Sequence, residues 1–201
     1  MINKIALIVG LTIIFVGCKN ENCREIVKEY YIEENSNLQD STLYQVQDFF
    51  RTFEEPELKE LEYEVYRITK INVLSNYRSI ITFENNRDYR IHYKGIKQIN
   101  RDSFEIKSKE SLEISKTDWE HLQYLIYKFN FWTCKEFKLK EVADGGGVLL
   151  EGHRPNVKRC GKIENKIVMR ANIIDEISWL YDELELMYEY KKLFQDNLEK
   201  E

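Results

Sequence analysis

The chain has 201 residues, a length that suits one domain with a single hydrophobic core and makes two full domains unlikely. Hydrophobic residues make up 43% and charged residues 32%, with only two prolines, which argues against a long disordered chain. The net charge of −5, without any long run of Lys or Arg, repels phosphate backbones and argues against nucleic-acid binding.

Residues 1–17 have the organisation of a secretory signal. Met1–Lys4 is short and basic, and Ile5–Val16 is uncharged and strongly apolar. A helix of that apolar length rises about 18 Å, whereas the hydrocarbon core of a bilayer is about 30 Å thick. The segment therefore predicts export and not a permanent membrane span.

The signal ends in Phe15-Val16-Gly17-Cys18, which resembles the lipobox of bacterial lipoproteins. The resemblance implies cleavage before Cys18, a diacylglycerol thioether on its thiol and acylation of the new amino terminus, so that membrane lipid is the first predicted partner. Two or three acyl chains would hold the protein at a membrane surface. Lys19 in place of an aspartate favours the outer membrane in a cell that has two membranes. The alternatives are an ordinary cleaved signal or a marginal signal anchor, with Cys18 an incidental thiol.

Residues 18–60 are predicted to form a tether and an N-terminal helical segment, and residues 61–201 a single α+β domain. Within the first of these, 21–34 and Leu43–Phe53 have apolar residues at helical spacing. The second helical stretch is expected to pack on the domain.

The residues after Glu62 alternate with the two-residue period of half-buried strands. The clearest strand is Tyr89–Lys94, with its aromatic and aliphatic residues on one face and its basic residues on the other. Asn85-Asn86 is typical of a hairpin turn before it. An antiparallel meander of about four strands is expected, centred on Tyr66 and Ile68, on Ile81 and Phe83, on Tyr89–Lys94, and on Phe104 and Ile106.

The rest of the chain alternates between helical and strand patterns. Thr117–Glu120 fits a helix capping box. Asn172–Phe194 is predicted to be a long amphipathic helix whose inward-facing residues are Ile173, Ile177, Leu180, Tyr181, Leu184, Met187 and Tyr188. Between them, short strands are predicted at 148–151 and 157–160, joined by a turn at Gly152 and Pro155, with a weaker third at 167–169. The predicted fold class is α+β, an antiparallel sheet of about five to seven strands packed against two main amphipathic helices.

Two motifs in this region resemble a pattern found in an uncharacterised bacterial protein family. Phe129–Trp132 corresponds to a helix that ends in an aromatic-Trp pair, and Asp144–Gly152 to an Asp-Gly turn followed by a strand that ends in Leu-Glu. With the strand at Glu64–Arg67, the resemblance covers residues 62–185. It implies one α+β domain and assigns no activity or catalytic residue.

The densest group of polar residues is Glu151, His153 and Arg154. An acid, a histidine and an arginine together could supply a general base and an anion clamp, or a binding site for a ligand or partner. A solvent-exposed turn is the simplest reading, since no nucleophile motif accompanies them. Asp144–Gly147 lacks the following Lys-Ser/Thr of a phosphate-binding loop and is read as a flexible turn.

The histidines and cysteines do not have the spacing of a metal site, and no cofactor is predicted. Export permits disulfides, and Cys134 with Cys160 is the best pair because both lie in the predicted domain. Such a bridge would add about 3 kcal/mol if unstrained. Cys23 has no predicted partner within the chain, so it would be either a free thiol or disulfide-bonded to another molecule.

The leading functional hypothesis is a non-enzymatic envelope lipoprotein that binds another protein, either an envelope component or a toxin against which it gives immunity. One alternative is an envelope hydrolase that uses Glu151 and His153. Another is a structural envelope lipoprotein. No residue is assigned a catalytic role from the sequence.

Overall fold

A computed structural model of the protein describes residues 50, 52–53, 55–71, 76–100, 103–134, 136–139, 147–159, 162–171 and 175–198. They belong to a compact unit that spans Gln47–Glu201. The unit therefore includes part of the segment that the sequence assigned to the tether. The signal segment, Cys18, Cys23, Cys160 and residues 144–146 lie outside the described residues.

The described elements are seven strands, two α-helices and one short 3₁₀ helix. The 3₁₀ helix is Leu58–Glu60; the strands are β1 (Glu64–Ile71), β2 (Tyr77–Asn86), β3 (Asp88–Asn100), β4 (Ser103–Glu113), β5 (Phe137–Leu139), β6 (Gly147–Arg159) and β7 (Lys162–Ala171); the helices are α1 (Lys116–Lys128) and α2 (Glu176–Leu198).

All seven strands form one sheet in the order β4-β3-β2-β1-β6-β7-β5. Every neighbouring pair is antiparallel except β5 and β7, which run parallel. The predicted α+β class is confirmed, as is the four-stranded meander, which corresponds to β1–β4. The parallel edge strand β5 was not predicted.

The two helices cover one face of the sheet, here called the helix-covered face. Side chains of a strand alternate between the two faces, so Tyr66 and Ile68 of β1 point to the helices while Arg67 and Thr69 point to the second face. The core on the helix-covered face combines residues of β1–β4, β6, β7, α1 and α2, among them Phe83, Ile91, Leu112, Trp119, Leu122, Phe131, Leu150, Val168, Leu180 and Leu184.

Helix α1 begins two residues earlier than the capping motif at Thr117 predicts. Ser115 is the N-cap: its hydroxyl accepts a hydrogen bond from the Asp118 amide at 3.2 Å, and the Asp118 carboxylate accepts one from the Ser115 amide at 2.9 Å. The predicted cap was wrong because an aspartate can close the same reciprocal pair as the glutamate of the usual motif.

Helix α2 begins after Asp175, whose carboxylate accepts hydrogen bonds from the amides of Ile177 and Ser178. The predicted start at Asn172 lies outside the described residues. Most of the residues predicted to face inward do so, since Ile177, Leu180, Tyr181, Leu184 and Tyr188 are all buried.

Strand β6 corrects the prediction of two short strands joined by a turn. It runs without interruption through Gly152 and Pro155, pairing with β1 on one side and β7 on the other. Only the register with β7 shifts, between Arg154 and Lys158. A shift of this kind accommodates Pro155, which has no amide hydrogen to donate to a ladder.

The β2–β3 hairpin turns one residue later than predicted. Strand β2 extends through Asn85 and Asn86, and the reversal is at Arg87, with φ of 61°. The asparagines pair with β3 instead of forming the turn.

The second face of the sheet is covered in part by the described residues 50, 52–53 and 55–61, here called the covering segment. Phe50, Phe53 and Leu58 are buried there. The ring of Phe53 meets that of Phe104 edge-on at 5.6 Å. This segment brings backbone carbonyls and one carboxylate, that of Glu55, against the polar side chains of β1, β3 and β6.

Candidate functional site

Strand pairing separates the three predicted site residues. Glu151 and His153 are two apart in β6 and share the second face of the sheet, whereas Arg154 points to the helix-covered face. The three do not form one site. None of them lies on an exposed turn, which was the simplest reading of the sequence.

Glu151 forms a buried ion pair with Arg67, which lies opposite it in β1. Arg67 Nε donates to Glu151 Oε2 at 2.6 Å and Nη2 donates to Oε1 at 3.0 Å, so the contact is bidentate. Burial raises the pKa of Glu151, and the Arg67 guanidinium opposes that rise. Both carboxylate oxygens are thus occupied by a partner within the fold.

The Arg67 guanidinium also joins the sheet to the covering segment. Nη1 donates to the Pro56 carbonyl at 2.9 Å and lies 3.6 Å from a carboxylate oxygen of Glu55. Its planar group lies 3.9 Å from the centre of the Phe50 ring. Glu55 in turn pairs with Lys94 of β3. We call Glu55, Arg67, Lys94 and Glu151 the buried charge cluster.

His153 is almost fully buried, and both ring nitrogens are engaged. Nε2 lies 2.7 Å from the Leu61 carbonyl, an acceptor, so this nitrogen carries a proton and donates it. Nδ1 contacts the side-chain amide of Asn165 in β7. His153 therefore ties the chain before β1 to the centre of the sheet.

Arg154 pairs with Glu164 of β7 and stacks on Trp132, with its guanidinium carbon 4.3 Å from the ring centre. Gly152 beside it allows this packing. A Cβ at Gly152 would lie only 2.6 Å from the ring of Phe131. The glycine is needed for the close approach of two aromatic rings rather than for a turn.

Cys134 forms no disulfide with another described residue, and its Sγ donates to the Phe131 carbonyl at 3.2 Å. Burial raises the pKa of this thiol, against the opposing charges of Lys166 and Arg170. Its predicted disulfide partner, Cys160, lies outside the described residues, so the bridge stays a prediction. Among the described residues, no group of three His, Cys, Asp or Glu side chains is placed to hold a metal ion.

The outer face of α2 is the most unusual surface of the described part of the molecule. Trp179, Leu186, Tyr190 and Leu193 follow one another at intervals of seven, four and three residues, so they form one stripe along the helix. Each is more than half exposed: 53% for Trp179 and 66% for Tyr190. We call these four residues with the adjacent, equally exposed Phe194 the α2 stripe.

The α2 stripe lies opposite the buried side of the same helix. Leu180, Leu184 and Tyr188 pack against the sheet, and the helix is fixed there by polar contacts. Lys191 pairs with Asp118 of α1, and Lys192 pairs with Glu110 of β4 at 2.5 Å. Helix α2 therefore has large apolar side chains on two opposite sides: one side packs in the core, and the other is the exposed α2 stripe.

Neither helix of the described residues combines the length and apolar character that a membrane crossing requires. Comparison with protein-family models finds no match for the chain, and comparison with curated proteins finds none either. The resemblances to lipoproteins and to an uncharacterised family stay predictions from the sequence.

Proposed function

We propose that the protein is a lipid-anchored lipoprotein of the cell envelope whose domain binds another protein through the α2 stripe. The α2 stripe is the observation that carries this proposal. The anchor rests on the lipobox resemblance that ends at Cys18.

Single exposed apolar side chains are common on soluble proteins, but a row of large ones along one helix is typical of an interaction surface. Trp and Tyr, the aromatic types most frequent at the energetic centres of protein interfaces, supply two of its members. The row lies on a helix that the core holds rigidly, so little ordering would accompany binding.

The hydrolase alternative is less well supported. Its two residues, Glu151 and His153, are buried and hydrogen-bonded to Arg67, Leu61 and Asn165. A general base needs a lone pair that faces substrate. The contacts of both residues instead suit a structural role within the sheet. An immunity protein and a receptor for an envelope component both remain specific forms of the proposal.

The anchor is tested with Cys18→Ala and its matched control Cys23→Ala, in cells fed radiolabelled palmitate. We expect the wild-type chain and Cys23→Ala to carry label and to sediment with membranes, and Cys18→Ala to carry none. Label that persists in Cys18→Ala would refute the assigned attachment site.

The binding surface is tested by placing a photo-crosslinking amino acid at Leu186 and, as a control, at exposed Ile106 of β4. In intact cells of the source organism, the Leu186 probe is expected to give a protein adduct of discrete mass that the Ile106 probe does not give. Equal adduct patterns from the two positions, or none from Leu186, would argue against a protein partner on α2.

A further inference from the structure

Acidic residues line one edge of the α2 stripe. Asp182, Glu189 and Asp196 lie seven residues apart, so they form one row along the edge of the stripe that faces away from the body of the domain. All three are exposed. Glu183, also exposed, lies within the stripe between Trp179 and Leu186.

The two basic residues of α2 offset this row only in part. Lys191 and Lys192 turn to the domain, where they pair with Asp118 and Glu110. Lys192 also attracts Asp196, but within the described part of the chain none of the three acids of the row forms an ion pair. The other edge of the stripe contains Leu180, Met187 and Phe194 and adjoins the core.

Intervals of three, four and seven residues are those of a coiled-coil seam, in which apolar side chains of one helix fit between those of another. From Trp179 to Leu193 the seam is about 21 Å long at 1.5 Å per residue. It has room for a facing helix of four turns. Charges that flank such a seam select the partner.

We propose that the α2 stripe docks an amphipathic helix whose apolar seam is flanked by Lys or Arg, from a different protein. This inference rests on the proposed function and names the chemistry of its partner. A second copy of the chain fits poorly: in an antiparallel pair the acidic rows would face each other, and in a parallel pair each row would face the edge that adjoins the domain. An anionic membrane surface would repel the same row.

The test uses the full chain in phosphatidylcholine nanodiscs and two synthetic peptides of about 24 residues, long enough for a stable helical seam. Both peptides have the same leucine seam; one is flanked by lysine and the other by glutamate. Empty nanodiscs give the background of binding to lipid. We expect the lysine-flanked peptide to bind about tenfold more tightly, the combined effect of three exposed charge pairs.

Two variants make the test specific. Leu186→Lys is expected to lose binding of both peptides. The triple change Asp182→Lys, Glu189→Lys and Asp196→Lys is expected to reverse the preference, so that the glutamate-flanked peptide binds more tightly. Its unfolding midpoint serves as the control for folding, since all three positions are exposed.

The proposal is overturned if the two peptides bind with equal affinity, if neither binds, or if the triple variant does not reverse the preference. It is also overturned if light scattering shows a dimer that Leu186→Lys dissolves. Binding of the chain to anionic vesicles that depends on Leu186 would assign the stripe to a lipid surface instead, and would also overturn it. The crosslink at Leu186 keeps the two proposals separate. If the crosslink at Leu186 forms although neither peptide binds as expected, only the chemistry assigned to the partner is wrong.

Discussion

The second face of the sheet buries charged side chains, whereas the outer face of α2 exposes apolar ones. Beneath the covering segment, three buried charged side chains and the partly buried Lys94 are matched as acid with base. On α2, five large apolar side chains are left in solvent. The first arrangement is satisfied within the chain, whereas the second can be satisfied only by something outside the domain.

This difference separates residues that build the fold from residues available for binding. Buried charges contribute to stability only while each keeps its partner. Exposed apolar groups contribute little to stability, since they are hydrated in both the folded and unfolded states. Variants in the two regions should therefore differ sharply in their effects.

The largest effect is expected for Glu151→Ala, which leaves Arg67 buried opposite a missing carboxylate. The free energy of unfolding should fall by about 3–5 kcal/mol, measured by urea denaturation. The double variant Arg67→Met, Glu151→Leu removes both charges and should recover most of that loss. If the double variant is as unstable as Glu151→Ala, this face of the sheet requires the charged groups themselves and not only their pairing.

Two leucines of α2 give a matched comparison of its faces. Leu184 is fully buried and Leu186 is 59% exposed, only two residues further along. Leu184→Ala should cost about 2–5 kcal/mol of unfolding free energy, and Leu186→Ala less than about 0.5 kcal/mol. Urea denaturation of the two variants side by side measures this. Similar losses at both positions would mean that the α2 stripe is part of the core.

Gly152→Ala should destabilise the protein by about 1–3 kcal/mol, because the new methyl group overlaps the rings of Phe131 and Trp132. Thermal unfolding measures the loss. Adding Phe131→Leu creates space at the point of overlap. If Gly152→Ala costs as much in the Phe131→Leu background as in the wild-type protein, its cost comes from the strand backbone and not from ring packing.

A small effect, and the one that depends on pH, concerns Glu110, which holds α2 to β4. Partial burial raises its pKa, but hydrogen bonds from Lys192 and Tyr188 outweigh burial and lower the pKa below the ordinary value of 4.5. A carboxylate with a lowered folded-state pKa stabilises the fold above its unfolded-state pKa, and this stabilisation is lost as the pH falls through the folded-state value.

Glu110→Gln should therefore lower stability at pH 7 by less than about 1 kcal/mol, because solvent screens this pair. The difference from the wild-type protein should shrink as the pH falls from 4.5 through the lowered folded-state pKa of Glu110. Unfolding midpoints across this range measure it, with Glu113→Gln, an exposed position on the same strand, as the control. A difference that persists unchanged at low pH would show that the contact does not depend on the charge of Glu110.

Local periodicity predicted much of the fold. Tyr89, Ile91 and Tyr93 pack against or within the helix-covered core, and His92 and Lys94 point to the opposite face, as the alternation of β3 indicated. The inward residues of α2 followed from the helical period in the same way. Strand β5 has three residues, too few for a period to show, and its parallel partner follows it by more than twenty residues.

The buried charge cluster could not be predicted because it depends on register. Arg67 and Glu151 are 84 residues apart, and only the pairing of β1 with β6 places them opposite each other. The sequence grouped Glu151 with Arg154 because they are close along the chain, although β6 turns them to opposite faces. The α2 stripe was not predicted either, although its signal is local: Trp179, Leu186, Tyr190 and Leu193 follow one another at helical intervals, on the opposite side of the helix from the buried row.

The claim that the α2 stripe is a binding surface is tested most directly by Leu186→Lys, with the photo-crosslinking residue moved to Tyr190. The protein adduct and the urea midpoint are measured on this variant and on the same probe without the lysine. We predict that the adduct is lost while the midpoint stays unchanged. An adduct that survives, or a midpoint that falls as far as that of Leu184→Ala, would contradict the claim.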